Sequence, residues 1–467
     1  VPKRPVLVVS ALAGGLLAAA VLALVRQQRA RRPDVVLITI DTLRADRLGC
    51  YGAPAGSTPH IDALAAGGIT FDNAACPMPL TRPSHASMMT GLFPRQHGVV
   101  NNQGVLAEGT LTVAEVFAGA GYRTAAFVGV KLLARDSGVG QGFATFEGPS
   151  GPAWTADEVG TRAIRWIERA TTAPEPFFLW VHLFDPHMPY APPPSSAPPP
   201  PADGALRDAS WPALTALAEA SDGQLSRAVL DRALALYAGE VAFTDVWVGR
   251  LLRAVGERPD RPPAAIAFTA DHGECFDHGV YFEHSDCLYD GAVRVPLIVR
   301  EPSGRRAGER VAAQVENRAL AATLLELGGL PARPEFGPSL LGRGRADAAA
   351  FFEHPLYADA SAHNRARRQQ RIRMVAGEPT RPVRDGQEDR GLRTGRWKYI
   401  RSEAGEELYD LSVDPGETRN VAAEHGGVRD RMRTAVAAWT RSHPVAVPAA
   451  PVTDELRETL RSLGYLQ

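Results

Sequence analysis

Four short apolar runs, each stopping on charged or imidazole side chains, limit what this chain can fold into more than any other feature. They are residues 34–40 (DVVLITI) before Asp41, 124–130 (TAAFVGV) before Lys131, 177–184 (FFLWVHLF) before Asp185, Pro186 and His187, and 264–270 (AAIAFTA) before Asp271 and His272. Runs of this kind, with helical patterns filling the intervals, predict an α/β fold with a mostly parallel central sheet flanked by helices. In such open sheets the ligand crevice lies beyond the carboxyl ends of the strands. The polar ends of the four runs are therefore expected to meet.

Leu230, Leu234, Tyr237, Val241, Val248 and Leu251 keep one face of a long helix apolar, and only Thr244 interrupts the stripe. Thr58 before Pro59 reads as a helix N-cap, which makes His60 and Asp62 first-turn residues rather than ligands. Residues 191–201 (APPPSSAPPPP) form a proline-rich surface loop placed to wall the crevice. Near residue 345 the pattern changes. A basic stretch at 363–373 (HNRARRQQRIR) reads as a solvated loop or edge strand, and two strands at 397–400 and 407–411 precede helices at 428–439 and 453–463. The expected organisation is a leader at 1–33, a main domain at 34–345 and a smaller C-terminal α+β unit at 346–467.

The chain has 467 residues, with 51 Lys and Arg against 52 Asp and Glu, so it lacks the basic excess of a nucleic-acid binder. Any anionic substrate has to be met locally. Of four cysteines, Cys275 and Cys287 are close enough in sequence to bridge a loop in an oxidising compartment, and two buried thiols are the other reading. Residues 6–25 (VLVVSALAGGLLAAAVLALV) carry no charge and are long enough to cross a bilayer, which predicts a single N-terminal membrane anchor; a cleaved signal segment is the alternative. The arginines after this span favour a cytoplasmic domain by the positive-inside rule, so the sequence leaves orientation open.

The segment 79–91 (PLTRPSHASMMTG) sets Thr81 at the mouth of a helix, with Pro83 suited to its first turn. A hydroxyl there faces unpaired backbone N–H groups and the positive end of the helix dipole, a setting for an anion, although capping is the simpler role for such a threonine. Asp41, Asp271 and His272 make an incomplete shell for one divalent metal ion, with room for a hydroxyl oxygen and a substrate oxygen. A cation beside Thr81 would lower the hydroxyl's pKa and make it a nucleophile.

The segments VVLITIDTLRADRLGCYG (36–52), LTRPSHASMMTGLFPRQHGV (80–99), DPHMPYAPP (185–193), TADHGECFDHG (269–279) and ELYDLSVDPGETRN (407–420) resemble, in order, the signature segments of the sulfatase family in the alkaline phosphatase superfamily. The resemblance runs from residue 34 nearly to the C-terminus. It implies metal binding by Asp41, Asp271 and His272 and a nucleophile at Thr81. His187 would protonate the leaving oxygen or hold the substrate, and His284 would stand near it. Lys131 falls close to the family's Lys-x-His segment and His85 on its helix arginine, which makes both substrate-binding candidates. His278 is either a further ligand or a residue orienting its loop.

The departures change the chemistry. Members of the family place cysteine or serine at the Thr81 position and convert it to formylglycine, an aldehyde that threonine cannot become. Thr42 stands where a second aspartate is usual, and His272 where asparagine is often found. Fewer carboxylates and an added imidazole favour Mn or Zn over Ca or Mg. The expected activity is metal-dependent hydrolysis of sulfuric or phosphoric esters, including diesters and phosphonates, with a Thr nucleophile. The substrate would be a sulfated or phosphorylated small molecule, glycan or lipid headgroup, met outside the cytoplasm by an anchored or secreted enzyme. A membrane-anchored phospho-group transferase and an inactive anion- or glycan-binding homologue are the alternatives.

Overall fold

In the computed structural model the four apolar runs supply four strands of one nine-stranded sheet. The structure describes residues 32–446 except 200–205, 207, 221–223, 260, 286, 343–347, 356–373, 376–388 and 403–404, together with residue 458. The sheet strands are β1 (Val35–Ile40), β2 (Ile69–Ala75), β3 (Arg123–Val128), β4 (Thr145–Glu147), β5 (Phe177–Leu183), β6 (Ala265–Ala270), β7 (Arg294–Val295), β8 (Leu297–Arg300) and β9 (Glu309–Glu316). Their order is β7, β2, β8, β6, β1, β5, β3, β4, with β9 alongside β2. Around β1 the sheet is parallel; β8 runs antiparallel to β6 and β2.

Register is what builds the site. Ile40 lies opposite Leu183 on one side and Ala270 on the other, so three strands end level. Asp41 N–H donates to Leu183 O at 3.0 Å, and the residues after each strand emerge side by side. Every residue of β1, β5 and β6 is buried, as expected for strands covered on both faces.

Helices α1 (Pro59–Ala66), α4 (Ala156–Ala170) and α5 (Arg227–Val255) pack together, as do α2 (Thr81–Thr90), α3 (Val113–Gly119) and α6 (Leu320–Leu327). On α4, Gly160 lets α5 approach: a Cβ there would lie 2.4 Å from the Trp247 ring. A second sheet of four antiparallel strands, β10 (Ala350–Glu353), β11 (Arg390–Arg393), β12 (Trp397–Ser402) and β13 (Gly405–Asp410), carries α7 (Gly426–Ser442) and its own small core. The expected helix at 453–463 and the basic stretch at 363–373 lie outside the described residues. Cys275 and Cys287 form a disulfide across the hairpin that follows β6.

One expectation is corrected. Residues 6–25 lie outside the described residues, and among the described residues no helix is long and apolar enough to cross a membrane. At 29 residues α5 has the length, but Arg227, Asp231, Arg232, Glu240, Asp245, Arg250 and Arg253 exclude it. The expected membrane-anchored placement is overturned on that finding.

Candidate active site

Thr81 is the first residue of α2, whose ten residues are all buried. The chain turns into the helix at Leu80, and Arg82 N–H, one of the orphan donors of the first turn, bonds Asn102 Oδ1 at 2.9 Å. Thr81 therefore does not act as a cap: its Oγ1 is buried without a hydrogen bond from any protein group. Ser84 Oγ donates to Asp271 O at 2.7 Å and ties the helix to the end of β6.

Donor atoms of Asp41, Asp271 and His272 all lie within 4.8 Å of one another. His272 Nε2 is 3.5 Å from Asp271 Oδ2 and 3.9 Å from Asp41 Oδ1. His272 Nδ1 lies 3.0 Å from Gly273 O and so carries the ring proton, which leaves Nε2 as a lone pair facing two carboxylates. Asp41 Oδ1 and Oδ2, Asp271 Oδ2, His272 Nε2 and Thr81 Oγ1 are all buried with no hydrogen-bond partner. Burial pushes both aspartates up; for Asp271 the adjacent Asp41 adds to it, while for Asp41 His187, His284 and the nearby Thr81 hydroxyl pull down. Two carboxylates and an imidazole lone pair are thus gathered within 4.8 Å of one another in a buried site, with the Thr81 hydroxyl beside Asp41. That arrangement fits a divalent cation.

Two histidines stand on the mouth side. His187 Nδ1 is 2.8 Å from Met188 O, so in the neutral ring Nε2 carries no proton. Burial lowers its pKa, against a pull from Asp41. His284 stacks on His272 with ring centroids 4.3 Å apart, and its Nδ1 lies 3.2 Å from Glu274 Oε1. Burial alone would lower the pKa of His284, but Glu274, Glu283 and Asp41 together outweigh it and the net shift is upward. Tyr190 OH donates to the other Glu274 oxygen at 3.1 Å.

The remaining candidates separate. His85 is wholly buried, with Nδ1 2.8 Å from Thr81 O and Nε2 3.1 Å from Thr39 Oγ1, so both ring nitrogens face protein groups rather than the mouth. Lys131 opens a turn beyond β3 at the same sheet edge and is half-buried. His278 turns away: its Nε2 lies 3.1 Å from Glu417 O, which makes it the residue orienting its loop.

A family model described as Sulfatase matches residues 33–330. The chain belongs to the sulfatase family. It is similar to arylsulfatase K of Rattus norvegicus, 25% identical across 85% of this chain and 76% of the relative, and to arylsulfatase A of Homo sapiens, 26% identical across 85% and 84%. Among solved structures it resembles BT4656 in complex with its substrate D-glucosamine-2-N,6-O-disulfate, with a TM-score of 0.70, 22% identity, and coverage of 88% of this chain and 98% of that one. It also resembles the phosphonate monoester hydrolase of Agrobacterium radiobacter, with a TM-score of 0.65, 22% identity, and coverage of 88% and 96%. At such identities the structural likeness speaks for the fold. As a sulfatase-family member the chain is a hydrolase of ester bonds.

This sulfatase also carries site residues that the sequence reading passed over. Thr39, within β1, takes Trp180 Nε1–H at 2.9 Å and sits 3.1 Å from both His85 Nε2 and His182 Nδ1. If His85 Nδ1 donates to Thr81 O, Thr39 must donate to His85 and accept from His182. His182 Nε2 is then a lone pair 3.4 Å from Asp41 Oδ2, a further electron-rich atom at the cation group. The available signal was a histidine inside an otherwise apolar strand, paired in register with a threonine.

Proposed function

We propose that the chain hydrolyses phosphoric or phosphonic esters through a covalent ester on Thr81, with a divalent cation held by Asp41, Asp271 and His272. The observation that carries this reading is the buried Thr81 hydroxyl set against Asp41, one of the three residues of that group. When bound, the cation would supply the positive charge that favours the alkoxide and offsets charge on the substrate oxygens. Thr81 Oγ1 attacks phosphorus as the bond to the leaving oxygen breaks; the threonine proton passes to His187 Nε2, and His284, favoured in its charged form by Glu274, protonates the leaving oxygen. In the second step water attacks phosphorus, gives its proton to His284, and Thr81 departs with the proton held by His187. His85 positions the helix start through the Thr81 carbonyl, and Lys131 contacts the outer substrate oxygens.

Threonine favours phosphorus because its ester has to be released by attack at the central atom, whereas a formylglycine hydrate can expel sulfate by breaking its own C–O bond. Sulfate esters are the second reading, supported by the arylsulfatase relatives and by the sulfated substrate of BT4656. A screen of aryl sulfates, phosphate monoesters, phosphate diesters and phosphonates with Mn²⁺, Zn²⁺ and Ca²⁺ separates the two. Thr81→Ala is expected to lower kcat/KM by about 10³-fold or more on whichever ester is turned over, with Thr81→Ser partly active. Unchanged turnover in the metal-replete alanine variant would remove the mechanism.

A further inference from the structure

The loop carrying His187 is held at both ends by one face of α5. Thr244 Oγ1 donates to Asp185 O at 3.2 Å, just before His187, and Glu240, one turn earlier, accepts Ala191 N–H at 2.8 Å just after it. Glu240 is 3% exposed, and its carboxyl group stands beside that of Asp185, close enough for the two to interact. Asp185 Oδ2 accepts Ala156 N–H at 2.6 Å at the start of α4. Two carboxylates have only acceptor oxygens, so a bond between them requires that one carry a proton.

We propose that Asp185 and Glu240 share one proton and so latch the His187 loop onto α5, which makes Glu240 a positioning residue for His187. The part of this that concerns turnover rests on the role given to His187 above; the latch itself does not. Burial, and then the charge of Asp185, push Glu240 up to about 8. Asp185 is raised as well, by burial first, with Asp157 in the first turn of α4 adding to it against the Ala156 N–H. The charged group facing the pair from outside it is thus Asp157 from α4, of a sign that favours keeping the proton.

A carboxyl group raised in the folded state contributes stability that is full below its unfolded value and is lost as pH rises through the folded one. For Glu240 that window runs from about 4.5 to about 8. The test compares the full-length wild-type chain with Glu240→Gln, whose amide keeps an acceptor for Ala191 and a donor for Asp185 without titrating, and with Glu240→Ala, which keeps neither. Over pH 5 to 8 the wild-type Tm should fall relative to Glu240→Gln by roughly 2 °C per pH unit. Its kcat should drop about tenfold per unit above pH 8 where Glu240→Gln stays level. Glu240→Ala should lose at least about tenfold in kcat at pH 7, restored in Glu240→Gln. Equal pH dependence of Tm in wild type and Glu240→Gln overturns the latch. A latch seen in Tm together with unaffected kcat in Glu240→Ala overturns the positioning of His187 and counts separately against its catalytic role.

Discussion

At the scale of single residues the site depends on hydrogen-bond partners that order in the sequence does not reveal. Thr39 satisfies an indole N–H and two imidazole nitrogens with one hydroxyl, 0% exposed. Thr39→Val keeps the shape and removes all three bonds. Leaving buried groups unpaired costs about 1–3 kcal/mol each, partly relieved by rotation of the rings, so a total loss near 3 kcal/mol is expected in urea unfolding. Metal affinity by calorimetry should weaken as well, because His85 and His182 lose their fixed tautomers; Thr39→Ser should restore both quantities. Asp41, Thr81, Asp271 and His272 were legible because each follows an apolar run or opens a helix, where local pattern and chemistry coincide. Thr39, His182 and Glu274 were not, since a polar residue inside a strand or hairpin gains its meaning only from the neighbour across the sheet.

At the scale of elements, the four runs were readable as strands because burial on both faces leaves no polar alternation to mislead. β2 (ITFDNAA) and β9 (ERVAAQVE) were not singled out: both are partly solvated, and their mixed patterns fit a loop equally well. Thr244 broke the apolar stripe of α5 for a reason the sequence hid, namely that the helix meets the His187 loop as well as the sheet. Contact between α4 and α5 gives the element-scale prediction. In Gly160→Ala the new methyl would sit 2.4 Å from Cε3 of Trp247, inside any allowed contact, and Trp247 is itself buried at 7% exposure. Alanine gains about 1 kcal/mol of helix propensity, whereas overpacking costs about 1–3 kcal/mol. A ring that cannot shorten puts the cost at the upper end, so a net loss of about 1–2 kcal/mol is expected in thermal unfolding. Turnover at a permissive temperature should stay unchanged, and a stabilised Gly160→Ala would show that the two helices slide apart freely.

At the scale of the whole molecule, the small C-terminal sheet is joined to the main sheet through charge as well as apolar contact. Lys398 Nζ, wholly buried, lies 2.9 Å from Asp290 Oδ1 and 2.8 Å from Glu417 Oε1, and Arg393 reaches Asp290 at 3.0 Å. The change of pattern near residue 345 hinted at a second unit but gave no sign that Asp290, far back in the main chain, would receive its cations. Burial by itself would push Asp290 up; Arg393 and Lys398 outweigh it and hold the carboxyl well below the usual range. Burial pushes Glu417 up, with Asp290 adding to it against Lys398, so the two carboxyl groups are shifted in opposite directions. Removing one partner of a buried pair leaves an uncompensated charge and costs about 3–5 kcal/mol, far more than a surface pair would. Lys398→Met should therefore lose about that much stability, and the loss should shrink in Lys398→Met combined with Asp290→Asn. A depressed carboxylate contributes fully above its unfolded value and loses that contribution as pH falls through the folded one, so the Asp290 term drains only below about pH 4. In Tm measurements from pH 6 to pH 3 the wild type should show a steeper acid limb than Asp290→Asn. Parallel limbs would mean that the two sheets are held by their apolar contact alone, with the ion group contributing nothing to their union.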